Sequence, residues 1–436
     1  MKRWIRIGLA ASCAAIGLAL ISTAASADSA GGIDTGDTAW VMASTALVML
    51  MTPGLGLFYA GMVRRKNALA TILQSFVMVA IVGVLWVLFG YSLSFGKDHW
   101  GLIGSLEWVG LRNVGYDAYP GTRIPHQAFM LFQLMFAVIT PALITGAFAE
   151  RMRFKAFLIF GVLWATFIYD PICHWVWAPG GWLQVFGAMD FAGGIVVHIS
   201  SGIAALCCAI VLGRRKGHGN EEFRPHNLTM TLIGTGLLWF GWFGFNAGSA
   251  LAANRIAVTA FVATNTAGAA AAVVWMFIEW WHRGKPTALG VASGAVAGLA
   301  AVTPASGYVG PMAAMAIGVV AGGVCYLAIM AKGKLGYDDA LDVFGVHGVG
   351  GIWGVLAAGL FATAALNPAV TNPGLFYGGT LIVKQLVATV AVSAYSFIGT
   401  FVLLKLTGVF TPLRAEKDDE EAGLDLSQHG EVGYSL

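Results

Sequence analysis

The feature that most constrains this chain is a succession of apolar stretches, each about twenty residues long, with almost no charge inside them. About 20 apolar residues let a helix cross the hydrocarbon core of a bilayer. Only 11% of the 436 residues are charged and 58% are hydrophobic, whereas soluble chains carry about 25% charged residues. So few ions cannot cover the surface of a soluble protein of this length. That excludes an ordinary soluble enzyme, a disordered chain and a nucleic-acid-binding protein. The 58 glycines follow no collagen period and suit closely packed membrane helices.

The first residues are set aside. Lys2, Arg3 and Arg6 precede an apolar stretch from Ile7 to Ile21, and Ala25-Ser26-Ala27 follows. This is the pattern of a secretory signal peptide cleaved after Ala27; the alternative is an uncleaved first helix. Eleven spans are predicted after it: 38–61, 69–95, 127–149, 156–172, 191–212, 228–250, 257–280, 287–306, 310–331, 343–363 and 377–407. An outside N-terminus places sixteen Lys and Arg in inner segments and four in outer ones, as the positive-inside rule requires. The expected fold is therefore an all-α polytopic membrane protein, N-out and C-in. Residues 1–27 form the signal peptide, 28–407 the transmembrane domain and 408–436 a cytoplasmic tail. The tail clusters Glu416, Asp418, Asp419, Glu420 and Glu421 and reads as a solvated extension.

Spans five and ten echo each other. Each sets one histidine, His198 or His347, in a glycine-rich stretch with no other ionisable group inside the span. Five spans followed by five of opposite topology form an inverted repeat. Ionisable residues inside a membrane are costly and mark functional sites by default. A neutral imidazole both donates and accepts a hydrogen bond, so two of them along a pore form a polar stripe for a proton or a small polar molecule. The alternative is a pair of packed core histidines. Glycines 193, 194, 202, 345, 348, 350, 351 and 354 on the same spans let helix backbones approach closely and leave room for a narrow lumen only.

Aromatic residues gather at the outer side. The run Trp239-Phe-Gly-Trp242-Phe-Gly-Phe245-Asn-Ala-Gly-Ser249 ends span six, Phe132 and Phe136 lie one turn apart in span three, and Trp175, Trp177 and Trp182 follow span four. Aromatic faces attract cations, and converging rings form a constriction that resists hydrated ions. An interfacial belt is the other reading. Asp190 opens span five, where an acid caps free N–H groups and suits the helix dipole. Asp170 before Pro171, and Asp338, Asp339 and Asp342 before span ten, read as turn or cap residues. Cys173, Cys207, Cys208 and Cys325 have no CxxC spacing, so neither a zinc site nor a disulfide framework is indicated.

Three segments together are specific: Asp190-Phe-Ala-Gly-Gly-Ile-Val-Val-His198, Gly241-Trp-Phe-Gly-Phe-Asn-Ala-Gly-Ser249 and Asp342-Val-Phe-Gly-Val-His-Gly348. They resemble the signatures of the ammonium transporter (Amt/Mep/Rh) family, on its bacterial Amt branch. Ala149-Glu150-Arg151-Met-Arg153-Phe154 and Arg224-Pro225-His226-Asn227 resemble its loops. The resemblance covers the whole mature chain. It implies eleven helices in a five-plus-five inverted repeat, assembled as a homotrimer with one pore per subunit in the bacterial inner membrane.

By the same resemblance His198 and His347 match the twin pore histidines, and Phe136 and Phe245 the stacked phenyl gate. Trp177 and Ser249 match the ammonium recruitment site, with Phe132 a third vestibule ring and Asp190 an acid near that site. Trp242 matches another pore-lining aromatic. The tail residues Gly423, Asp425, His429, Glu431 and Tyr434 resemble the family's cytoplasmic end, which responds to PII-type signalling proteins. Gly433 stands where many relatives have alanine, Ala178-Pro179 replaces a more glycine-rich stretch, and Lys384 has no evident counterpart.

The implied activity is ammonium/ammonia transport without a cofactor, metal or enzymatic step. Ammonium is recruited at the aromatic site, loses a proton and passes as ammonia along the histidines. The alternatives are an ammonium sensor with little flux, disfavoured by a 29-residue tail (408–436), and a passive channel for ammonia or another small neutral solute. A bis-histidine metal enzyme would need further ligands.

Overall fold

The computed structural model describes residues 32–435, so the expected signal peptide lies outside the described residues. Eleven principal helices follow. They are α1 (Thr35–Met62), α2 (Arg65–Phe95), α3 (His126–Phe148), α4, α5 (Gly194–Leu212), α6 (Leu228–Gly248), α7 (Arg255–Arg283), α8 (Ala288–Val302), α9 (Pro311–Leu335), α10 (Phe344–Phe361) and α11 (Leu381–Phe410). Helix α4 runs through Phe154–Trp164, a π-helical turn Ala165–Tyr169 and Asp170–Trp177. Two tail helices complete the chain, α12 (Lys417–Ala422) and α13 (Leu424–His429). The described strands are β1 (Asp98–His99) and β2 (Ile103–Gly104), an antiparallel pair with Asp98 opposite Gly104.

Ten of these helical segments are long and apolar enough to cross a membrane. The eighth expected span differs: regular helix covers only the 15 residues of α8. At 1.5 Å per residue that is about 22 Å, short of the ~30 Å hydrocarbon core. The fourth differs in the other direction. Asp170 does not end it but lies buried within α4, accepting a hydrogen bond from Ser94 Oγ at 3.0 Å. The helix carries on to Trp177, so Trp175 and Trp177 belong to α4 and not to the segment beyond it.

Local chemistry sets the helix starts. Asp34, Asn227, Asn254 and Thr287 each accept a backbone N–H of the first turn of α1, α6, α7 and α8, supplying the partner that first-turn amides lack. Small residues then set the packing. A side chain at Gly234 of α6 would enter the backbone of Gly54 and Phe58 on α1, and one at Gly318 of α9 the backbone of Ala267 on α7. Close approach of this kind lets apolar helices pack where lipid offers no hydrophobic drive.

Candidate functional site

The site follows from where α3, α5, α6 and α10 converge. Helix α5 begins with a π-helical turn, Gly194–Ile199, which carries His198; α10 begins with another, Phe344–Gly348, which carries His347. π-helical turns are rare and concentrate at functional sites. The two helices cross at Gly202 and Gly348, where any side chain on Gly202 would run into the Gly348 backbone. At Gly351 an added Cβ would stand 2.9 Å from the Cβ of His198. The glycines thus remove every atom that would hold the histidines apart. The imidazoles lie nearly parallel, at 22°, with centroids 5.2 Å apart and Nδ1 to Nδ1 at 3.2 Å. One ring donates and the other accepts along that contact. Both residues are buried, and Nε2 of His198 has no hydrogen-bond partner among the described residues.

Above the histidines stand three rings. Trp242 and Phe245 of α6 lie 5.6 and 6.0 Å from His198, centroid to centroid. Thr303 fixes Trp242, accepting its indole N–H at 2.9 Å. Phe245 meets Phe136 of α3 at 4.5 Å, the two rings tilted by 46° and both buried. The space enclosed by Phe245, Trp242, His198 and His347 is a narrow cavity of about 10 Å³, about what the centre of one water molecule needs. A second small cavity of about 30 Å³ continues from His347 past Ser293 and Asp342.

On the far side of Phe136 lies an open vestibule of about 310 Å³, lined by Phe136, Trp177, Ser249, Phe129, Tyr119 and Gln133 among others. Trp177 meets Phe136 edge-on at 5.6 Å, and its indole N–H is held by the carbonyl of Asp190 at 2.9 Å. Ser249 donates its hydroxyl proton to the carbonyl of Phe245 at 2.9 Å, which leaves its oxygen lone pairs free to accept.

Phe132 stands elsewhere than expected, and Asp190 takes the capping role that its place at the start of span five suggested. Phe132 is fully buried and lies behind Phe136, centroids 5.0 Å apart, against the α6 backbone at Gly248. It does not line the vestibule. Residue 132 lies at the edge of the face that 129, 133 and 136 share, on the side where α6 packs, and its ring is covered there at Gly248. Asp190 does not face the vestibule either. Its Oδ1 accepts from Gly193 and Gly194 and its Oδ2 from Ile195 and Val196, at 2.6–3.0 Å. One carboxylate thus satisfies four free amides at the start of α5. The capping role is what the structure shows for it.

At the opposite end of the bundle the sequence reading missed a buried ionic hub. The Glu150 carboxylate accepts from Arg64, Asn67 and Arg215 at 2.8–3.0 Å, and Arg215 reaches on to Asp338 at 2.9 Å. Burial works against the charged form of Glu150, but Arg215 and Arg64 outweigh it and hold the carboxyl below its usual range. Asp338 behaves alike: burial opposes its charge, and hydrogen bonds and charge from Arg215 pull it well below. Asp339 is pushed up to about 6, chiefly by burial, and accepts the N–H of Phe344 at 2.7 Å, capping α10 as its position suggested. Asp342 pairs instead with Lys332.

The tail is docked, contrary to the reading of it as a solvated extension. Asp425 accepts the N–H groups of Leu69 and Ala70 at 3.1 and 2.8 Å, capping α2, and Leu424 donates to Asn67 at 2.8 Å. Gly423, at φ 103°, lies against Lys66, with no room there for a side chain. His429 packs edge-on over Phe154 at 4.7 Å, and Tyr434 hydrogen-bonds His226 at 2.9 Å. Glu431 donates its backbone N–H to the carbonyl of Asp425. Lys384 lies 5.8 Å from the Phe186 ring centre.

Comparison with known proteins gives the family of the chain. The model of the Ammonium Transporter Family matches residues 39–434. An "Ammonium transporter" of Bacillus subtilis is 55% identical over 403 residues, covering 92% of this chain and 98% of that one. The "Ammonium transporter Amt1" of Archaeoglobus fulgidus is 50% identical, over 92% and 99%. Among solved structures, Candida albicans Mep2 superposes with a TM-score of 0.85 at 35% identity over 92% and 91% of the two chains. A structure described as "Sensor Amt Protein" superposes with 0.83 at 28% identity over 90% and 98%. Sequence match and superposition each span about nine-tenths of the chain, and this multi-pass, all-helical membrane protein belongs to the ammonium transporter family.

Proposed function

We propose that the chain carries ammonium nitrogen across the bacterial cytoplasmic membrane through the path between α3, α5, α6 and α10. The observation that carries this reading is the histidine pair, in contact at 3.2 Å beside a cavity sized for one small molecule, next to two phenyl rings in contact at 4.5 Å. Ammonium enters the vestibule, where the rings of Phe136 and Trp177 attract its charge and the Ser249 oxygen accepts an N–H. Passing Phe136 and Phe245 requires it to shed water, and an unpaired ion is disfavoured in so apolar a cavity. The ion therefore gives up its proton at the gate. Ammonia crosses along His198 and His347, and the proton passes separately through the two imidazoles, in contact Nδ1 to Nδ1, and rejoins ammonia on the inner side, so that one charge moves per ammonium. Potassium has no proton to lose, which excludes it whatever its size.

The same reading includes eleven crossings, N-terminus outside, after cleavage of residues 1–27. The crossing at α8 is completed by the turns that follow it. Two features support an inverted repeat of α1–α5 on α6–α10: α1 packs on its counterpart α6, and α5 on α10; and each histidine sits on a π-helical turn. Assembly as a homotrimer and response of the tail, through Gly423, Asp425, His429, Glu431 and Tyr434, to a PII-type signalling protein rest on the family resemblance. The docked tail offers such a partner a formed surface.

The experiment is charge movement on ammonium pulses in proteoliposomes on a solid-supported membrane, wild type against His198→Ala/His347→Ala, with potassium as control. A saturable current with ammonium, absent with potassium and abolished in the variant, is the expected result. Luminal alkalinisation without current would make this a passive ammonia channel. Binding with neither response would make it a sensor, the reading the "Sensor Amt Protein" likeness favours.

A further inference from the structure

Gln133 is the one strongly polar side chain that α3 presents to the vestibule. Residues Phe129, Gln133 and Phe136 follow the i, i+4, i+7 spacing of a single helix face, and all three line the cavity that also holds Trp177 and Ser249. Its Oε1 is buried and without a hydrogen-bond partner among the described residues, and the residue as a whole is only 8% exposed. A buried amide oxygen left unpaired destabilises the fold, so it is retained where a ligand supplies the donor. None of its neighbours on the cavity wall donates to it: Tyr119 stacks on Phe129 face to face at 3.6 Å with no hydrogen bond from its hydroxyl to Gln133, the Thr122 hydroxyl is given to the Tyr119 carbonyl, Phe136 offers a ring, and the Ser249 proton is given to Phe245. The terminal amide turns about a broad torsion, which lets it present the oxygen to the cavity.

Ammonium is a donor-only ligand, with four N–H groups and no acceptor. Building on the transport reading above, we propose that Gln133 is a specificity-determining residue of the recruitment site, its Oε1 accepting one ammonium N–H while Ser249 accepts another. The two oxygens and the rings of Phe136 and Trp177 then surround the ion with acceptors only. A fully methylated ammonium, which has no N–H, gains the ring attraction alone.

The test compares Gln133→Leu, Gln133→Met and Gln133→Glu in proteoliposomes. Ammonium pulses give the half-saturating concentration and maximal current, and ammonium titration of tryptophan fluorescence reads binding without flux. Leu and Met should each raise the half-saturating concentration by about tenfold, the equivalent of one hydrogen bond, with maximal current within about twofold of wild type. Glu keeps the acceptor and should bind ammonium at least as tightly as wild type. Leu or Met within about twofold of wild type would overturn the proposal, and so would Glu weakened as much as Leu, which marks a packing role. If wild type binds ammonium but gives neither current nor luminal alkalinisation, the transport reading falls, and the fluorescence titrations alone decide for or against Gln133.

Discussion

Replacing Gly202 by alanine tests whether helix spacing sets the histidine contact. A Cβ at Gly202 would stand 2.9 Å from the carbonyl carbon of His347 and closer still to the Gly348 backbone. Carbon atoms rest at about 3.5–4.0 Å, so α5 and α10 must part by about 1 Å. The histidines ride on these two helices, and their Nδ1 separation of 3.2 Å would open to about 4 Å, beyond hydrogen-bond range. Overpacking costs about 1–3 kcal/mol, which leaves the bundle folded. Loss of the histidine contact removes about 1 kcal/mol, and 1.4 kcal/mol is a factor of ten. The ammonium current should therefore fall about fivefold to tenfold while the protein keeps its size-exclusion profile. Gly236→Ala on α6, where nothing lies within 4 Å of an added Cβ, is the control and should behave as wild type. A Gly202→Ala variant with undiminished current would refute the argument that contact between the histidines, held by glycine packing, governs passage.

Two further outcomes follow from the end of the bundle that carries the tail. Asp425→Ala removes the cap on α2 from the tail, a loss of about 1 kcal/mol; limited proteolysis should cut the tail several times faster, and an unchanged cleavage rate would count against docking through that carboxylate. Glu150→Gln leaves the buried Arg215 with Asp338 alone and the half-buried Arg64 with a weakened partner; breaking a buried pair costs up to about 3–5 kcal/mol, so thermal unfolding in detergent at pH 7 should shift clearly downward. Because Glu150 and Asp338 both titrate below their ordinary range when folded, the stability they contribute is present above about pH 4 and lost as pH falls further. Wild-type melting should drop below that pH, less steeply in Glu150→Gln; equal slopes would show that these groups do not set the acid limit.

Much of the candidate site was legible because its residues are out of place in a membrane. A histidine between glycines on an apolar helix stands out in any sequence; that His198, expected towards the middle of its span, sits in the first turns of α5 beside His347 in those of α10 follows from where the helices start. Phe132 and Asp190 show where the reading stopped. Spacing of one turn linked Phe132 to Phe136, but only the rotation of α3 against α6 decides which of the two rings faces the vestibule. Asp190 could cap or attract a cation by composition alone; the four amides gathered on its two oxygens decide for the cap. Gln133 passed unnoticed because a lone glutamine on a helix carries no signal until its neighbours are known.

The hub and the tail were illegible for a related reason. Glu150, Arg215 and Asp338 are separated by 65 and 123 residues, and Asp425 caps a helix more than 350 residues before it. No local pattern encodes such pairs. The sequence by itself determined the class of solvent, the near-complete set of helices and the chemistry gathered in them, because hydropathy and charge act residue by residue. Only the tertiary structure decided which polar atoms meet and which stay unpaired. Those outcomes depend on helix rotation and crossing distance, which glycine contacts far apart in the chain set to within an ångström.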